Sequence, residues 1–176
     1  YEESMAAAIK ASDNNGWLLL SDVTWDGYDL GLQVMEGYTV AAAEAFEDCP
    51  QTPTHIFLQA GVGGFPASMA AFARKQYGND PKIIIVEPTE APVLLASIQA
   101  GKAVEVKGGV SIMGRLDCKV PSTEALSSLA RTCNSFMTIT DQDAKNCLKE
   151  LEKEGLETSP SGGAGFAGLI DSLNYN

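Results

Sequence analysis

Basic residues are scarce in this chain. Twelve Lys and Arg stand against 23 Asp and Glu, for a formal net charge of -11 and a pI near 4.4. A nucleic-acid binder needs Lys and Arg gathered on one face to displace counterions. Here they are scattered, which argues against nucleic acid or an anionic membrane as a partner. Histidine is rarer still. His55 stands alone before an apolar stretch, so a His-based metal cluster or catalytic triad lacks its parts, and His55 reads as structural. The four cysteines, Cys49, Cys118, Cys133 and Cys147, form no CxxC or zinc spacing. They read as reduced thiols of a cytoplasmic protein. No apolar run approaches the roughly 18 residues of a membrane span. The opening residues, Tyr1-Glu2-Glu3-Ser4, lack the basic-then-apolar form of a signal peptide. Any anion bound by so acidic a chain must be held by local geometry rather than by the global field.

What is present is enough for one domain: 176 residues, 45% of them hydrophobic, punctuated by 17 glycines and eight prolines. The spacing predicts a helix over Glu2–Ser12, ended by turn chemistry at Asp13–Gly16, and then a short strand at Trp17–Leu20. Residues 22–31 read as loop and Leu32–Phe46 as helix. Next come a strand at Thr54–Gln59, a glycine corner at Ala60–Gly64, a helix at Pro66–Tyr77 and an apolar strand at Lys82–Val86. Strand, helix and strand within about 30 residues make a βαβ unit. The unalternating Ile83-Ile84-Ile85-Val86 suits a strand buried on both faces of a parallel sheet. Helix is expected at Ala91–Ala100, strand or loop at Val104–Val110, helix at Ser122–Arg131 and strand at Ser135–Thr140. A helix over Asp141–Glu154 is expected to be capped by Asp141. Ser159–Gly165 reads as a second glycine-rich turn that opens a helix through Leu173. This alternation predicts an α/β fold, a doubly wound, mostly parallel sheet with flanking helices.

The corner Gly61-Val62-Gly63-Gly64 is the main functional candidate. A strand-to-helix corner exposes unpaired backbone amides and the positive end of a helix dipole, and glycine lets an anion approach without a Cβ in the way. A bulky residue at Gly63 is therefore expected to block a bound phosphate by steric clash. The corner by itself fits a phosphate site and a bare tight turn equally. A dinucleotide site would use GxGxxG with an acid about 20 residues on. Gly61 and Gly63 start that pattern and Glu87 supplies the acid, but Pro66 stands at the third glycine, which weighs against a nicotinamide cofactor.

The stretch Thr54-His55-Ile56-Phe57-Leu58-Gln59-Ala60-Gly61-Val62-Gly63-Gly64 resembles the phosphate-loop segment of the diaminopropionate ammonia-lyases. Further stretches occur in that family's order: Gly16-Trp17, Ser21 to Tyr28, Val34 to Tyr38, Ile85-Val86-Glu87-Pro88, Ser111-Ile112-Met113-Gly114 and Ser159 to Gly165. The resemblance covers nearly the whole chain. It implies pyridoxal 5'-phosphate (PLP) and the large-domain part of a fold-type II PLP enzyme. The implied reaction is α,β-elimination of 2,3-diaminopropionate to pyruvate and ammonia. A threonine or serine dehydratase, a non-catalytic domain and an NAD-binding Rossmann-like domain are the alternatives. The resemblance places the cofactor phosphate on Gly61, Val62, Gly63 and Gly64, with Met113 and Gly114 flanking the ring and Ser161 and Gly162 near the pocket.

The same resemblance marks departures. The family's Schiff-base lysine and acidic general base lie N-terminal to the phosphate loop, and Lys10, the lysine before Thr54, is not in a Ser-x-Lys context. The chain therefore reads as a C-terminal fragment without its own catalytic nucleophile. Residues 1–31 would be a remnant of a preceding small domain or linker, and residues 32–176 an incomplete PLP-binding α/β domain. Some relatives bind a divalent metal through Glu, a carbonyl and Asp; Glu87 and Ala91 match the first two, but Val93 replaces the Asp, so no metal is expected. Arg115 stands where many relatives carry glycine. It is a candidate ligand for a substrate carboxylate or a plain surface side chain, and the second reading is preferred. A homodimer acting on a small amino acid in the cytoplasm completes the expectation.

Overall fold

A computed structural model describes residues 2–174. Three parallel strands form the sheet, β1 (His55–Gln59), β2 (Lys82–Pro88) and β3 (Ser135–Ile139), in the order β1-β2-β3. His55 pairs with Lys82 and Gln59 with Val86; Ile84 pairs with Ser135 and Pro88 with Ile139. The helices are α1 (Glu2–Asn15), α2 (Gly31–Glu47), α3 (Gly64–Tyr77), α4 (Val93–Ala100), α5 (Thr123–Thr132), α6 (Asp141–Lys153) and α7 (Pro160–Asn174).

The central strand explains the layering. Side chains alternate across a strand, and β2 is apolar on both faces. Ile83 and Ile85 face a core built with Ala67, Ala70, Leu94 and Leu129 from α3, α4 and α5. Ile84 and Val86 face a second core with Ala144 and Cys147 of α6 and Ala164 and Ala167 of α7. Burying each of these Ile and Val side chains of β2 contributes about 1.5–3 kcal/mol, so the sheet has to be covered on both sides. The expected parallel sheet with flanking helices is what forms. Among the described residues, no helix is long and apolar enough to cross a membrane.

Four local expectations are corrected. Trp17–Leu20 is not a strand: it has no ladder partner, and Trp17, Leu18 and Leu20 are largely exposed. Helix α1 runs through Asp13 to Asn15 before Gly16, at φ +65°, stops it. Asp141 is not the cap of α6; Thr140 is. The Asp143 amide donates to Thr140 Oγ1 at 3.2 Å and the Thr140 amide donates to Asp143 Oδ2 at 2.8 Å, a reciprocal capping box. Asp141 instead accepts from the Ser111 hydroxyl at 2.6 Å, tying the segment after α4 to α6. Finally, the glycine run 162–165 lies inside α7 rather than in a turn before it. Residues 104–110, where strand or loop is expected, are loop.

Residues 16–30 are anchored to the domain. The Thr24 amide donates to Ser122 Oγ at 3.0 Å and the two hydroxyls lie 2.8 Å apart, both side chains buried.

Candidate functional site

The carboxyl ends of the strands open on a cleft of about 540 Å³, within the usual range for a small-molecule site. Its first wall is the corner between β1 and α3. The Ala60 amide donates to Val86 O at 2.9 Å, holding the chain in the sheet one residue past Gln59 before it turns. At Gly61 a Cβ would lie 3.0 Å from the Arg115 carbonyl oxygen and 3.1 Å from Cys118 Sγ, so any side chain would push the two walls apart. Gly63, at φ +106°, is the N-cap of α3; other residues strain at that angle. The first bond closing the helix runs from Ala67 N to Gly63 O at 3.0 Å. The Gly64 and Phe65 amides therefore precede the helical ladder, and Pro66 has no N–H to satisfy.

The expected effect of a bulky residue at Gly63 is corrected here. A Cβ there would meet Ala125 Cβ at 3.1 Å, Leu94 Cδ2 at 3.2 Å and Leu129 Cδ1 at 3.3 Å. It points into the core, not into the cleft. Gly63 serves the backbone turn and the packing of α3 on α4 and α5.

The second wall is the segment 114–118, folded tightly by bonds from Leu116 N to Met113 O and from Cys118 N to Leu116 O, both 2.8 Å. The third is the start of α7, where Ser159 Oγ accepts from the Gly162 amide at 3.1 Å. The starts of two helices, α3 and α7, thus border one cleft, and their dipoles add partial positive charge in an otherwise acidic molecule. This donor set, with amides at a glycine-rich corner and the small hydroxyls of Ser159 and Ser161 opposite, fits the phosphate of an ester-linked cofactor.

Seven of the eight candidate residues line this cleft: Gly61, Val62, Gly63, Gly64, Gly114, Ser161 and Gly162. Met113 does not. It is fully buried in the core beneath the second wall. Arg115, read from sequence as a surface residue, also lines the cleft. His55 lies at the opposite end of β1, exposed, its Nδ1 3.1 Å from Thr54 Oγ1. Glu87 is wholly buried and accepts from the Leu94 and Leu95 amides at 2.7 and 2.8 Å, closing the start of α4, where Pro92 offers no side-chain cap. Both carboxylate oxygens are therefore engaged, which removes the acid that a dinucleotide ribose would need.

Sequence reasoning missed Asp22, Asp117 and Cys118, which also line the cleft. Asp117 is ion-paired with Lys119 at 2.6 Å. Burial pushes the Cys118 thiol above its usual pKa, the Asp22 charge adds to this, and the Val62 amide opposes it. Asp22 stands within the Ser21–Tyr28 motif and was the one of these with a readable signal. Among the described residues no lysine lines the cleft.

Comparison with known proteins fits this geometry. The chain is 35% identical over 190 residues to a diaminopropionate ammonia-lyase of Salmonella typhimurium, covering 100% of this chain and 47% of that protein. The structure superposes with TM-score 0.87 on the Escherichia coli diaminopropionate ammonia-lyase in complex with an aminoacrylate-PLP azomethine reaction intermediate. That match has 26% identity and covers 97% of this chain and 46% of the other. A threonine deaminase of Solanum lycopersicum shares the fold, with TM-score 0.81 at 20% identity, over 91% of this chain and 45% of the other. The chain spans about half the length of the curated relatives it matches. The family model described as pyridoxal-phosphate dependent enzyme matches residues 1–175, and the chain belongs to that family.

Proposed function

We propose that this chain supplies the phosphate-binding half of a PLP-dependent ammonia-lyase that eliminates ammonia from 2,3-diaminopropionate and yields pyruvate and ammonia. The observation that carries the reading is the convergence of the starts of α3 and α7 on a glycine-rich corner at one cleft, beside a chain-long likeness to diaminopropionate ammonia-lyases. In this reading the Gly64 and Phe65 amides hold the cofactor phosphate, with the Ser161 and Ser159 hydroxyls facing them and Gly114 leaving room for the ring. When bound, PLP supplies an electron sink for the substrate α-carbon. Asp22 borders the cleft without a lysine or arginine partner among the described residues, and offers its carboxylate to a substrate ammonium. Met113 acts from behind, as packing under the ring-facing segment.

The nucleophilic lysine is assigned to a part of the enzyme outside this chain. Residues 1–31 are assigned to a link with that part, and residues 32–176 to an incomplete cofactor domain. We place the enzyme in the cytoplasm, on its four free thiols, and expect it to work as a homodimer.

The test uses the full-length protein that carries this chain. A Cβ at Gly114 meets nothing within 4 Å, so a side chain placed there enters free space at the cleft instead of displacing protein. Gly114→Leu should fold normally by circular dichroism and lose PLP affinity at least tenfold in a fluorescence titration. Wild type should release ammonia from 2,3-diaminopropionate in preference to serine or threonine. Unchanged PLP binding in Gly114→Leu would remove the cofactor from this cleft; preference for a hydroxy amino acid would make the protein a dehydratase.

A further inference from the structure

We infer that Arg115 is the specificity-determining residue that takes the carboxylate of the amino-acid substrate; the inference rests on the cleft being the cofactor site proposed above. Its backbone is fixed on both sides. The amide donates to Ser161 Oγ at 3.1 Å, and the carbonyl packs where a Cβ at Gly61 would come within 3.0 Å. Leu116, nearly buried, anchors the next position. The Cα is thereby pinned at the cleft, between the glycine corner and the first turn of α7. The guanidinium itself is exposed, and Gly114 beside it carries no side chain to obstruct its swing.

The charges around it are specific. The chain has three arginines. Arg74 is structural: its guanidinium donates to the Thr132, Gly78 and Pro81 carbonyls and to Asn134 Oδ1 at 2.7–3.1 Å. Arg131 donates to Ser127 Oγ at 2.8 Å. Arg115 alone has no side-chain hydrogen bond or ion pair among the described residues, although the chain carries 23 carboxylates. It is also the only cation lining the cleft among those residues. The carboxylates on the lining are Asp117, already paired with Lys119, and Asp22. An unpaired cation and an unpaired anion on one cleft match a zwitterionic diamino acid, the guanidinium taking the carboxylate and Asp22 an ammonium. Guanidinium presents a planar fork that fits a carboxylate with two parallel bonds, which lysine does not reproduce. The cofactor phosphate is the other oxyanion available, but the two helix starts already provide for it.

The experiment uses the full-length enzyme with PLP and two probes: 2,3-diaminopropionate, and 1,2-diaminoethane, which keeps both amines and lacks the carboxylate. Arg115→Gln should raise the KM for 2,3-diaminopropionate at least tenfold with kcat changed only a few-fold. It should leave the affinity for 1,2-diaminoethane, read from cofactor fluorescence, and the affinity for PLP unchanged. Arg115→Lys should recover part of the loss. Equal weakening of both probes, or of neither, overturns the assignment. Weaker binding of PLP but not of pyridoxal gives Arg115 to the cofactor phosphate and overturns it as well. Failure of the wild type to bind PLP brings down the cofactor reading and this inference with it, and is told apart by the titration alone.

Discussion

The Ser161 hydroxyl accepts from the Arg115 amide at 3.1 Å, joining two segments 46 residues apart in sequence. That single bond couples the start of α7 to the wall that faces the glycine corner. Removing the acceptor leaves a partly buried amide unpaired, at a cost of roughly 1–3 kcal/mol. Ser161→Ala should therefore lower the urea midpoint modestly without changing its slope. It should also weaken PLP several-fold, because the second wall is no longer fixed against the first. Denaturation and cofactor titration of the same preparation check both; full PLP affinity with reduced stability would leave Ser161 as packing only.

The glycines of α7 invite a second test. A Cβ at Gly168 would lie 2.7 Å from Val86 Cγ2 and 3.1 Å from Cγ1, and one at Gly165 would lie 2.8 Å from the Phe57 carbonyl oxygen. These glycines let the helix sit directly on the sheet. Gly168→Ala would gain about 1 kcal/mol of helix propensity but force a methyl into a filled core, costing about 1–3 kcal/mol. The net outcome should be destabilisation. Gly37, in the middle of α2, is the control: a Cβ there meets nothing within 4 Å, so Gly37→Ala should stabilise by about 0.5–1 kcal/mol. Thermal melts of the two variants should shift in opposite directions.

The same glycines show where sequence reading stops. The βαβ unit was legible because its signals are local: β2 is apolar on both faces, and Pro66 marks the first turn of α3. The corner at Gly61–Gly64 was legible for the same reason. The run Gly162-Gly163-Ala164-Gly165 suggests a turn because glycine breaks helices locally, whereas the close approach of Gly165 to the Phe57 carbonyl, a tertiary contact, requires glycine inside the helix. Trp17–Leu20 has strand composition but no neighbouring edge to join. Arg115 is exposed, as expected, but nothing in its local sequence announces that Ser161 and Gly61 would hold its backbone at the cleft. The resemblance places Met113 at the ring through its neighbours, while its own side chain is buried in the core with Ile84 and Val86.

Glu87 makes the stability of the fold depend on pH in a direction unusual for a carboxylate. Burial raises its pKa from 4.5 to about 7, against the opposing pull of the Leu94, Leu95 and Val93 amides. Between about pH 4.5 and 7 the folded chain thus holds a proton that the unfolded chain has released. Stability from this group is greatest below pH 4.5, falls as pH rises through that window, and is lowest above pH 7. The full change is on the order of 3 kcal/mol. Gln cannot titrate, and its single carbonyl oxygen serves one amide of α4 while leaving the other unpaired, at a cost of about 1–3 kcal/mol. Glu87→Gln should therefore be clearly less stable than wild type near pH 5, with the gap closing toward pH 8. Urea denaturation of both proteins across that range isolates the effect, because the other carboxylates are common to the two. Parallel stability curves would mean that Glu87 is already ionised at pH 5, held by the start of α4 strongly enough to overcome its burial.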